Sequence, residues 1–187
     1  WLSYPGSVAR AAIPPRRVVH THSAAATFWD YATGWYGDYV NQTVVDAMTD
    51  RGVTALTNTI TLADAWRALI PGYTAGQKIA IKINLNNASC GDTGQVIDAL
   101  PHPVNSVIRG LKAIGVAEND IYVYDVTNGW HTGEMPTRLV NKVTALYPNA
   151  QFHASEPGCS TALGYSSTQS IHFNTPVGKP GISDRPI

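Results

Sequence analysis

The 187-residue chain predicts an α/β domain: a mostly parallel sheet with helices on both faces, assembled from βαβ units. Three observations carry that expectation. Short β-branched runs alternate with longer segments of helical spacing. Gly and Pro fall at the junctions between them. The intervals separating the runs are long enough for helical crossovers and too long for hairpin turns.

Residues 1–15 hold Pro5, Pro14 and Pro15 among small residues and read as an extended arm or linker, leaving 16–187 as one domain. Residues 17–23, centred on Val18 and Val19, read as a first buried strand. Phe28, Trp29, Tyr31, Trp35, Tyr36 and Tyr39, interrupted by Gly34 and Gly37, read as a packed loop. From Asn41 to Arg51 the apolar positions Val44, Val45 and Met48 recur at helical spacing, and Gly52 supplies a stop. A second helix is capped near Thr61, runs through Ala65, Trp66, Leu69 and Ile70, and ends before Pro71-Gly72.

The clearest strand covers 78–85, from Lys78 to Leu85. After an Asn- and Gly-rich loop, Pro101-His102-Pro103 opens a helix with the apolar stripe Val104, Val107, Ile108, Leu111 and Ile114, closed by Gly115. A strand over 120–126 follows. Pro136 then opens a helix through Leu139, Val140, Val143 and Leu146, and 150–154 reads as a further strand. Beyond Pro157 the chain is rich in Ser, Gly and Pro, with one strand near Ile171-His172-Phe173 and an interrupted loop at 181–187.

Composition narrows the function classes. Charged residues are 14% of the chain against a norm of about 25%, while apolar residues, at 44%, suffice for a core. Thirteen basic and thirteen acidic residues cancel, and Arg16-Arg17 is the longest basic run, so a nucleic-acid partner is not expected. No run of 18 apolar residues occurs to span a membrane. The uncharged polar balance, and a first residue that is Trp1 and not Met, fit an exported and trimmed product. Export would make the sequons at Asn41 and Asn87 matter where the source glycosylates. Cys90 and Cys159 are compatible with a bridge or with two thiols.

Ligands of open parallel sheets bind beyond the carboxyl ends of the strands. There the chain places Asn84, Asn86, Asn87 and Asp92 at the end of one strand, which itself carries Lys82, and Asp125, Thr127 and Asn128 at the end of its expected neighbour. Amide and carboxylate oxygens suit a small polar ligand or a hard divalent cation, and Lys82 suits an anion. Lys82 sits between Ile81 and Ile83, so its ammonium needs a partner. Asp125 is the nearest carboxylate by strand adjacency, or the strand lies at an edge and Lys82 reaches water. His102, at a helix start, could contact an anion, and His131 could close over a ligand. His20 and His22, two apart, share one face of a strand and form a candidate metal pair. No Gly-rich phosphate loop, nucleophile elbow, Cys-x-x-Cys or His-Glu-x-x-His occurs.

The run from Ile79 to Asn84, then Pro101-His102-Pro103-Val104, Arg109-Gly110-Leu111-Lys112, Gly115-Val116 and the run from Ile121 to Asp125 resemble the domain of unknown function 362 family. The resemblance covers about residues 17–155 and departs from the family pattern at Ile83, where many relatives carry Pro. It implies an exported α/β domain and a further C-terminal part of the chain as its partner, and it supplies no reaction. Some of the patterning is similar to lactate racemase-like proteins. A different class of function, a cell-surface assembly protein that self-associates through its Pro-rich arm and aromatic stretch, uses the same residues as homo-oligomer contacts.

Overall fold

The computed structural model describes residues 17–85, 99–125, 135–154, 170–172 and 184–186. Its centre is a three-stranded parallel sheet of β1 (Ile79–Lys82), β2 (Ile121–Asp125) and β3 (Gln151–Ala154), in the order β1-β2-β3. Helix α3 (Pro101–Ala113) links the first two strands and α4 (Thr137–Thr144) the second two, which makes the α/β class plain. Two helices come before the sheet, α1 (Gln42–Thr57) and α2 (Leu62–Leu69). A separate antiparallel pair, β4 (Ser170–His172) and β5 (Asp184–Pro186), follows it. The end of the chain is thus a strand where a loop was expected. The arm at 1–15 and both cysteines lie outside the described residues.

Both crossovers step across the sheet in the same direction, so the usual right hand puts α3 and α4 on the same face. That face carries Ile121 and Val123 of β2, which pack with Val104, Ile108 and Leu111 of α3, Leu139 and Val143 of α4 and Trp66 of α2. Helices α1 and α2 pack outside on α3. Among the described residues the helices therefore cover one face. The opposite face presents Ala80, which is exposed, and Tyr122 and Tyr124, which are partly exposed.

Local chemistry explains most boundaries. Pro101 begins α3 where a missing N–H costs nothing, and Gly115, at φ 93°, takes the left-handed turn that ends it. Thr61 caps α2 by accepting the Asp64 N–H at 3.1 Å. Four expectations are corrected. Residues 17–23 form no strand: Val18 is 90% exposed, and Arg17 donates to the Ala55 carbonyl of α1 at 2.7 Å. Gly52 does not stop α1, which continues to Asn58 in the left-handed conformation at φ 56°. Gly52 lies on the helix flank, facing Thr21. Leu146 lies past the end of α4 and is exposed. The strand at 78–85 is regular only over β1, although Ile83 extends the ladder by one bond to the Tyr124 carbonyl at 2.9 Å.

The aromatic segment is a packed loop, as its glycines indicated. An isolated bridge between Thr27 and Val40 closes it, and Phe28 meets Tyr39 edge-on at 5.5 Å. No helix among the described residues is long and apolar enough to cross a membrane.

Candidate functional site

Parallel pairing brings the ends of β1 and β2 together and settles the partner of Lys82. Its ammonium lies 2.5 Å from Asp125 Oδ1 and donates a second bond to the Ile83 carbonyl. Asp125 Oδ2 accepts the Leu85 N–H at 2.7 Å, so one carboxylate binds the chain leaving β1 in two places. The two side chains differ in setting. Asp125 is buried, with 2% of its side chain exposed, and Lys82 is 53% exposed. Lys82 lies on β1, one of the two edge strands of the three, and reaches water as well as its partner, so both readings of its sequence position hold at once.

An ammonium has three N–H bonds, and two of these are spent on fixed protein oxygens. Among the described residues the third has no partner. The buried carboxylate holds the cation in place without covering it. Asn84, exposed, follows directly on the strand. Asn86, Asn87, Asp92, Thr127, Asn128 and His131 lie outside the described residues.

His102 is placed elsewhere. It occupies the second position of α3, buried to 7% exposure, and the charges that act on it are Lys142, Asp38 and Asp46. Around it runs a polar seam that sequence reasoning missed. Gln42 donates to the His102 carbonyl at 3.0 Å, Ser106 donates to Asp46 at 2.6 Å, and Arg109 pairs with Asp50. The residue numbers rise together on α1 and α3, so these helices run parallel. The available signal was the spacing of Gln42, Asp46 and Asp50, four residues apart on one helix face, opposite Val44, Val45 and Met48. Such a face normally meets water. Here it meets Asn105, Ser106 and Arg109.

Burial lowers the His102 pKa, and Lys142 lowers it further against the pull of Asp38 and Asp46. The fold thus favours the neutral ring, and the unfolded chain takes up the proton more readily. Stability attributable to His102 is fully present above the ordinary imidazole pKa of about 6.5 and is lost as pH falls from there through the lower folded-state value. Urea midpoints measured from pH 7.5 down to 5.5 are expected to fall, and His102→Gln should flatten that slope. An identical slope in the variant would remove His102 as its source.

His20 and His22 lie near each other, with ring centroids 6.5 Å apart, but on irregular exposed chain and not on a strand. Among the described residues no group of three or more His, Cys, Asp or Glu is arranged to hold a metal. Compared with models of protein families, with curated proteins and with solved structures, the chain matches none.

Proposed function

We propose that the domain binds a small polar or anionic ligand at the carboxyl ends of β1 and β2, with Lys82 and Asn84 as contacts and Asp125 as the anchor. The observation that carries this reading is the half-exposed Lys82 ammonium fixed on a buried carboxylate at the edge where parallel sheets take their ligands. Asn86 and Asn128, in the segments that follow the two strands, are the next contacts in this proposal. Their oxygens suit a divalent cation held together with the ligand. We further infer export, and membership of the domain of unknown function 362 family, from the composition and motifs described above.

Intact mass tests the reading on protein purified from its source. A native mass above that of the chain, lost on denaturation, is the expected result; a bare chain under both conditions counts against it.

A second reading, self-association at the cell surface, is favoured by Phe28 and Tyr31, both largely exposed within the aromatic loop. It predicts oligomers that grow with concentration and disappear on deletion of residues 1–15 or in Phe28→Ser/Tyr31→Ser. A monomer at every concentration would eliminate it.

A further inference from the structure

The face of the sheet opposite the helices carries a shallow groove of about 230 Å³, lined by Lys78, Ile79, Ala80, Tyr122 and Tyr124. The strand register explains its shape. Ala80 stands beside Tyr122, and Tyr124 lies two residues further along the same face, so a methyl group forms the floor and two phenol rings the wall. A larger residue at 80 would fill the space. The Tyr122 ring is held from two sides: His153 stacks on it at 5.3 Å and 24°, and the Lys78 ammonium lies 5.0 Å from its centroid. Among the described residues of the lining Lys78 alone is charged, and its interaction with Tyr122 raises its pKa above the ordinary lysine value. The groove thus offers carbon along its length and one fixed positive charge at its end.

From this complementarity we propose that the open sheet face is a binding site for a small single-ring aromatic carboxylate. The ring lies on Ala80 against Tyr122 and Tyr124, and the carboxylate pairs with Lys78. Size selects one ring, because the volume is below the roughly 300–1,000 Å³ of sites that hold drug-sized ligands. It also argues against a nucleic-acid strand or a peptide, which need a longer track of cations or pockets. Aromatic walls favour offset or edge-on packing of a ring over an aliphatic chain of equal size. Lys82 stands beside Tyr124 on the same face but does not line the groove, and the variants at Lys78 and Ala80 leave the Lys82–Asp125 pair in place, so this proposal is tested apart from the function proposed above.

Benzoate is the probe, titrated into the full chain and followed by ligand-observed NMR, with benzamide as its uncharged counterpart. Benzoate is expected to bind and benzamide to bind about fivefold more weakly, the factor an exposed ion pair contributes. Lys78→Gln should weaken benzoate by about the same factor and leave benzamide unchanged. Ala80→Leu, an exposed strand substitution that fills the groove, should abolish binding of both while the urea midpoint stays within experimental scatter. Absence of benzoate binding to the wild type, or equal binding to Ala80→Leu, would overturn the proposal. Equal affinity for benzoate and benzamide would overturn the role of Lys78.

Discussion

Asp125→Ala is expected to destabilise the domain by about 2–4 kcal/mol. Two losses add. The Leu85 N–H, on a residue with no exposed surface, is left without its acceptor, which costs about 1–3 kcal/mol. Lys82 loses its carboxylate, but its half-exposed ammonium regains water, so that part is held to about 1 kcal/mol. Asp125→Asn keeps an acceptor oxygen for Leu85 and should cost less than the alanine variant. Urea unfolding with an unchanged slope measures both. An alanine variant as stable as the wild type would mean that the carboxylate does not hold the end of β1. The same argument fixes the variant for functional work: Lys82→Gln removes the charge at the exposed end and leaves the Leu85 bond in place.

Gly110→Ala is the second large effect, and its sign opposes helix propensity. In an exposed helix interior, Ala is more stable than Gly by about 1 kcal/mol. Here a Cβ on Gly110 would fall within the Trp66 indole, where α2 crosses α3. Overpacking of this kind costs about 1–3 kcal/mol or more, and the buried ring has little room to move. Net destabilisation of about 2 kcal/mol is expected in the same urea assay. Trp66→Phe should restore part of it in the double variant although it is itself destabilising, and that non-additivity identifies the contact. Gain of stability in Gly110→Ala would show that the helices do not approach as described.

What the sequence revealed and what it hid divide along the reach of the interactions. Thr61, Pro101 and Gly115 act on their own turns, so the ends of α2 and α3 could be read from neighbouring residues alone. The Lys82–Asp125 pair was legible for a different reason: an ammonium between two isoleucines demands a partner, and sequential parallel strands bring the nearest carboxylate beside it. Residues 17–23 show the converse. Val18 and Val19 have strand propensity, but a strand exists only where a neighbour accepts its ladder, and here the segment lies along α1.

Gly52 was misread because a single Gly in a helix costs only about 1 kcal/mol, which the packing of a 16-residue helix overrides. The seam of Gln42, Asp46 and Asp50 was hidden because a polar helix face looks the same whether it meets water or another helix. The open sheet face was hidden by the order of the strands, since one order places both crossover helices on one side and another places them on two. Tyr122 and Tyr124 alternate with Ile121 and Val123, a pattern of one buried and one wet face that was available in the residues of β2.

The measurement closest to the central claim is the native and denatured mass of Lys82→Gln, expressed and purified from the same source as the wild type. The wild type is expected to carry an excess mass lost on denaturation, and the variant, less stable because the buried Asp125 carboxylate loses its cation but still unfolding cooperatively in urea, to arrive bare. A folded variant that retains the full excess would contradict the claim.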